Sequence, residues 1–511
     1  MSTPQTLLEL LALGDPAHQA IRAANRQALT YGDLNALAES TIANLNQKGI
    51  GRQDRVAIVL PNGPHMATAF VCIACAATTA PLNPAYRQEE FEFYLGDLNA
   101  RALVVESGSD SPAVAAAARL GITIIELEDD PKNAGSFSLN AAVNSPSNES
   151  AEPLMGPAES EDVALILHTS GTTSRPKIVP LSHRNVCASA GNIMDSLALT
   201  HSDRCMNIMP LFHIHGLIAV ILASLRAGAS VYCTTGFNAL KFFSWMSDAN
   251  PNWYSAVPTM HQAILTRANR AQDVIDANPL RLIRSSSSSL PPQVMAALES
   301  TFDTVVIEAY GMTEAAHQMA SNPLPPQSRK PGTVGIAAGP EVAIMDESGE
   351  LLESGEIGEI VIRGQNVTEG YENNAKANAE NFTHGWFRTG DQGVIDEEGY
   401  IAITGRLKEI INRGGEKISP REVDEVLMDH PAIGQCVTFA MPHEKLGEEV
   451  AAAVVLREGE KANEQDIRAF TAQHLADFKV PRKVLILDEI PKGATGKLQR
   501  IGLAEKLGLV K

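Results

Sequence analysis

The chain has 511 residues, 44% hydrophobic and 20% charged, which is enough apolar side chain for a large globular core of about three or four domain equivalents. Its formal net charge of -19 argues against nucleic acid or an anionic membrane as the main partner, so an anionic ligand has to be held by local donors. Of its six cysteines only Cys72 and Cys75 are close in sequence; with no second ligand pair nearby, they read as small buried core residues rather than a zinc or redox site.

The N-terminus, MSTPQTLLELLALG, has no basic region or cleavage pattern, and the C-terminal LGLVK is not a targeting tripeptide. The expectation is a cytoplasmic protein in a reducing compartment. YGDLNALAESTIANLNQKG has helical periodicity and ends at Gly49, and DRVAIVLPN is a strand stopped by Pro61 and Asn62. The apolar run MATAFVCIACAATTA is shorter than the ~20 residues a spanning helix needs, so a buried helix is predicted and no membrane insertion. EEFEFYLGDLNA follows as a helix, then RALVVES and GITIIEL as strands. This alternation implies parallel sheets covered by helices. Residues 142–161 are rich in Ser, Pro, Asn and Glu and form a surface connection.

VALILHT is a strand feeding the polar loop SGTTSRPK. RLIRSSSSSLPP and TVVIEAYGMTEA repeat the design, with a helix expected after each polar turn. From about residue 330 the chain is Gly-punctuated and β-rich, which predicts hairpins or a small barrel. A last α+β unit starts near Arg406. In it, SPREVDEVLMDHP carries helix signals at both ends: Ser419 as cap, Pro420 in the first turn, Glu422 completing a capping box, and Pro431 past the end. The expected domains are 1–405 and 406–511.

The loop after VALILHT contains Ser170, Gly171, Thr172, Thr173 and Ser174, a set of hydroxyls and N–H groups, followed by the cation of Lys177. Such a loop suits phosphate. It lacks the P-loop pattern, and by composition a solvated Ser/Thr turn reads the same way. HTSGTTSRPK does not stand alone, however. PLFHIHGL, YGMTE, WFRTGD, GRLKEIINRGGEKISP and PKGATGKLQR follow it in order. Together the six resemble the signatures of the acyl-adenylate-forming superfamily of acyl-CoA synthetases, adenylation domains and beetle luciferases, over nearly the whole chain.

The resemblance implies an α/β fold: a large N-terminal domain of parallel-type sheets flanked by helices with a small β-barrel-like subdomain, and a small mobile α+β C-terminal domain hinged near Lys408. It implies an acid–thiol ligase using ATP, Mg²⁺ and CoA, with a small-molecule carboxylate as its partner. Carried over residue by residue, Ser170, Gly171, Thr172, Thr173 and Lys177 hold phosphates, and Tyr310 stacks near the adenine. Thr313 contacts phosphate and Glu314 ligates Mg²⁺, a hard ion suited to carboxylate and phosphate oxygens. Asp391 accepts from both ribose hydroxyls and Arg406 adds a ribose contact. Lys497 brings a cation to the α-phosphate as the carboxylate attacks, where two anions meet. His213 lies at the acyl pocket. Lys497, His213 and Thr313 are the catalytic set. Asn412 departs from the pattern, since many relatives carry Lys there.

The acyl pocket is the most individual feature. Five serines, Ser285–Ser289, stand where ligases for aromatic acids typically show Gly-Ala-Ala-Pro. Ser287, Ser288, Ser289, Gly311, His317 and His213 are the expected substrate contacts. A pocket of hydroxyls and histidine fits a small, polar, doubly anionic acid, whereas a long acyl chain wants an apolar tunnel. AVPTMHQ, IRSSSSSL and TEAAHQMASNPLP resemble the oxalate–CoA ligase branch of the superfamily, which implies oxalate. A CoA ligase for another short acid (acetate, glycolate, malonate or a small hydroxycinnamate) remains open, as does a stand-alone adenylation enzyme that loads a carrier protein. Nothing in the chain points to a luciferase-like oxygenase, and Lys497, Glu314 and Asp391 argue against a non-catalytic relative.

Overall fold

A computed structural model describes residues 3–140, 153–169, 176–491 and 498–510. The connection expected at 142–161 falls largely outside the described residues. Two large sheets form the body of the chain. The first has nine strands, and its six central ones run parallel, among them Arg204–Asn207, Trp253–Ala256, Leu282–Ser286 and Val305–Met312. The second has seven strands, parallel except at its edges, and ends on the antiparallel hairpin of Val163–Thr169 with Lys177–Ser182.

The helix Tyr31–Gln47 forms where a helix was expected. Thr30 accepts from the Asp33 N–H, and Asp33 reaches back to the Thr30 N–H, while Tyr31, Leu34, Ala38, Thr41 and Leu45 make its buried stripe. The helix Pro64–Ala74 is buried on all sides from Met66 onward and touches strands of both large sheets. That explains an apolar run with no polar face. Cys72 lies inside it and Cys75 at its end; burial pushes the Cys75 thiol up to about 12. All six cysteines are free and buried. Among the described residues no helix is long and apolar enough to cross a membrane.

One expectation is corrected. After TVVIEAYG the chain does not enter a helix. A single 3-10 turn, Thr313–Ala315, leads into the strand His317–Ser321, which folds back antiparallel on Val305–Met312. The reversal is made by two left-handed residues, Ala316 at φ 46° and His317 at φ 102°. Neither is a glycine, so local propensity did not announce it.

The β-rich stretch forms a five-stranded antiparallel sheet that includes Gly358–Arg363, Trp386–Ile395 and Ile401–Arg406. The last unit is a second five-stranded sheet with the helices Pro420–Met428 and Glu464–Ala472. Its apolar clusters draw on residues 411–509, whereas those of the preceding chain end by residue 403. The capping box expected at Ser419 does not form. The Ser419 hydroxyl donates to the Thr404 carbonyl instead, and Glu422 accepts from Lys479 Nζ at 2.6 Å. A long-range partner outbid the local one in both cases. Ser419→Thr404 and Arg421 Nη1→Ile403 O (2.6 Å) tie this helix to the preceding sheet.

Glu308, on Val305–Met312, is 2% exposed, and its Oε1 accepts from the Leu290 N–H at 2.9 Å. Burial pushes its carboxyl from 4.5 up to about 7, with Arg421 pulling the other way. A raised folded value means that ionisation opposes folding. Stability is therefore unaffected below about 4.5 and falls as pH rises towards 7, by up to roughly 3 kcal/mol. Glu308→Gln is expected to remove this loss. In unfolding measured across pH, the variant's advantage should grow from pH 4.5 to 7 and be level above it.

Candidate active site

Three sheets converge on one place. The seven-stranded sheet brings Lys177 at the start of its edge strand, and the nine-stranded sheet brings Tyr310, Gly311, Thr313 and Glu314 at the end of Val305–Met312. The small antiparallel sheet brings Asp391 and Arg406, paired opposite each other in register. Asp391 is buried, and its Oδ1 accepts from Arg406 Nε at 2.7 Å while its Oδ2 accepts from the Tyr310 hydroxyl. The Asp391 carboxylate raises the Arg406 guanidinium further above its ordinary value. The Asp391 N–H is spent on Thr389 Oγ1 at 3.1 Å.

The second group is centred on Glu314, which is 6% exposed. The Tyr371 hydroxyl donates to Glu314 Oε1 at 2.9 Å, and Lys177 Nζ lies 4.1 Å from the centre of the same tyrosine ring. Burial raises the Glu314 carboxyl and lowers the Lys177 ammonium, and each charge partly offsets the shift of the other. Tyr371 carries no signal in the sequence, since EGYENN is an ordinary polar loop. Its loop is pinned by a two-pronged bond from Arg55 Nη2 to Glu372 at 2.8 Å. Thr313 is half-buried beside Glu314. Lys408 is exposed, in the turn between Ile401–Arg406 and Ile411–Arg413. Asn412 Oδ1 accepts from the Gly415 N–H at 3.1 Å and closes the next turn, the hairpin between Ile411–Arg413 and Glu416–Ile418. Ser170, Gly171, Thr172, Thr173 and Lys497 lie outside the described residues.

The third group lies at the ends of Trp253–Ala256 and Leu282–Ser286. His215 is fully buried at the start of the π-helix His215–Leu222. Its Nε2 is 2.6 Å from Ser255 Oγ and its Nδ1 3.1 Å from Ser287 Oγ, and its ring meets that of His317 edge-on at 5.0 Å. His213 is half-buried, and its Nδ1 accepts from the His215 N–H at 3.3 Å. The serine run divides. Ser286 donates to the Ala309 carbonyl at 2.8 Å, Ser287 turns inward at φ 73°, and Ser288 and Ser289 are exposed. Sequence reasoning picked His213 and missed His215, Ser255 and Arg284. The PLFHIHG pair was the available signal for His215, but nothing in a strand sequence marks Ser255 or Arg284. Gly311 lies against His317, and a Cβ there would sit 1.8 Å from the His317 carbonyl oxygen.

Among the described residues no cluster of three or more His, Cys, Asp or Glu side chains can hold a metal ion. Glu314 still fits Mg²⁺, which is commonly held by one or two carboxylates with phosphate oxygens completing its shell. A buried carboxylate whose ionised form is disfavoured gains from a cation beside it.

Fold and site together define a nucleotide-handling α/β enzyme with a large N-terminal and a small C-terminal domain. The chain belongs to the AMP-binding enzyme family, which matches residues 10–372, with the AMP-binding enzyme C-terminal domain matching 422–497. It is similar to an oxalate–CoA ligase of Arabidopsis thaliana, 46% identical over 97% of this chain and 96% of the relative. It is also similar to an oxalate–CoA ligase of Saccharomyces cerevisiae, 45% identical over 93% and 92%. Among solved structures it resembles ATP-bound MatB from Rhodopseudomonas palustris, with a TM-score of 0.87 and 29% identity over 98% of both chains.

Gly311→Ala forces the His317 backbone to move, because no flexible side chain can give way. The expected cost is about 2 kcal/mol, in the middle of the range for overpacking. It should be read as a lowered melting temperature, with a displaced His317 in a crystal structure of the variant.

Proposed function

We propose that the protein is an ATP-dependent carboxylate–CoA ligase acting on oxalate in two steps. A carboxylate oxygen attacks the α-phosphorus of ATP, and pyrophosphate leaves. The CoA thiolate then attacks the acyl carbonyl, and AMP leaves. The observation that carries the choice of acid is the buried polar group of His215, Ser255, Ser287 and His317, which offers hydrogen bonds where a fatty or aromatic acid needs apolar wall. The two full-length oxalate–CoA ligase relatives support it.

In this reading Asp391, already oriented by Tyr310 and Arg406, accepts the ribose hydroxyls on its remaining lone pairs. The 170–174 loop and Lys177 hold the β- and γ-phosphates, with Thr313 beside them. Glu314, steadied by Tyr371, holds Mg²⁺, which when bound neutralises phosphate charge. Lys497 stabilises the charge that develops at the α-phosphate. The chain divides at 405/406, and a swing near Lys408 exchanges Lys497 for a thiol channel between the steps. His213, His317, Gly311 and Ser287 border the acid, with Ser288 and Ser289 at its rim. The protein works in the cytoplasm.

Two measurements test this. In a CoA-dependent AMP-release assay with oxalate, glycolate, acetate, malonate and a small hydroxycinnamate, oxalate should give the highest kcat/KM. Turnover of another acid in its place would overturn oxalate alone, and pyrophosphate exchange without CoA turnover would point to carrier-protein loading. Lys497→Ala should slow adenylate formation roughly a hundredfold or more while sparing thioester formation from supplied acyl-adenylate. Equal loss in both half-reactions would remove the role given to Lys497.

A further inference from the structure

Arg284 is fully buried on the strand Leu282–Ser286. Among the described residues no carboxylate lies within ion-pair distance of its guanidinium. Its Nη2 donates to Gln318 Oε1 at 3.2 Å, its Nη1 to Ser255 Oγ at 3.4 Å, and among the described residues its Nε has no acceptor. Burial lowers it to about 9, so it carries its charge at neutral pH. A buried cation with no carboxylate among its described neighbours costs stability, and the hydrogen bonds to Gln318 and Ser255 offset only part of that cost.

Its neighbours are arranged so that it acts on His215. Gln318 spends its amide hydrogens on Asn192 O, Ser196 Oγ and Ala338 O at 3.2, 2.9 and 3.3 Å, which turns its oxygen towards Arg284 and holds the guanidinium in place. On the other side, among the described residues, the partners of Ser255 Oγ are Arg284 and His215 Nε2. A guanidinium only donates, so Ser255 must accept from it. Because the Arg284 cation donates to one side of the buried Ser255 oxygen, the hydroxyl points its own proton away from that charge, at His215 Nε2, 2.6 Å off. With Nε2 accepting, the ring hydrogen resides on Nδ1 and is donated to Ser287 Oγ at 3.1 Å. Ser287 then keeps its own hydroxyl proton for a ligand.

We propose that Arg284 is the positioning residue of the acid pocket: through Ser255 it selects the His215 tautomer that leaves the Ser287 hydroxyl as a hydrogen-bond donor to the substrate's second carboxylate. This rests on the reading of that pocket as the acid's. Without Arg284, Ser255 can accept from Nε2–H, the ring turns to its other tautomer, and Ser287 spends its proton on Nδ1. The donor is then lost to the acid. Arg284 thereby favours acids that end in a second anion over acids that end in a methyl group.

Arg284→Met, Arg284→Lys and Ser255→Ala test the relay. Ser255→Ala is the smaller change and keeps the test open if Arg284→Met does not fold. Arg284→Met and Ser255→Ala should raise KM for oxalate on the order of tenfold while KM for ATP stays within about twofold, and Arg284→Lys should recover part of the loss. ¹⁵N NMR of selectively labelled histidine should show His215 protonated on Nδ1 in the wild type and on Nε2 in Arg284→Met. An unchanged tautomer, or equal losses for ATP and oxalate, overturns the proposal. If the wild type prefers another acid, oxalate falls, but the tautomer measurement still decides the relay.

Discussion

A carboxylate cannot be buried between two sheets unless something gives it hydrogen bonds, and Asp391 meets that requirement with one partner from each side. Arg406 comes from the neighbouring strand of its own small sheet, and Tyr310 comes from the end of the nine-stranded sheet. The bond to Tyr310 therefore sets the position of the small sheet against the large one. Because Arg406 is also the last residue of its strand, the same carboxylate marks where the chain leaves for its final unit. A group suited to nucleotide hydroxyls is thus also a structural joint.

Glu314 and Lys177 follow a related logic. They belong to different sheets, and both are shifted towards their uncharged forms by burial. Tyr371 lies between them, donating its hydroxyl to one and its ring face to the other. Each charge only partly offsets the burial of the other. Arg284 shows the same incompleteness deeper in the fold, with amide and hydroxyl oxygens for company and, among the described residues, no carboxylate.

Much of the architecture was legible in the chain. The helix Tyr31–Gln47, the buried helix Pro64–Ala74 and the separate final unit follow from periodicity, from an apolar run without a polar face, and from a change in composition. Lys177, Tyr310, Glu314, Asp391 and Arg406 stand out in the sequence because they sit in short motifs, and the structure gathers them from three sheets. The errors came where distant partners override local ones. Ser419 caps nothing because the Thr404 carbonyl takes its hydroxyl, and YGMTEA makes a hairpin because Gly311 lets the His317 backbone approach.

The sequence by itself determined the fold class, the AMP-binding signatures and their order, because each depends on residues adjacent in the chain. Only the tertiary structure decided which histidine turns inward, which of five serines faces it, and what stands behind them. His215, Ser255 and the Arg284–Ser287 segment are tens of residues apart, and no local pattern joins the three. Their roles come from side-chain direction on neighbouring parallel strands and from the rule that a buried hydroxyl must place its proton.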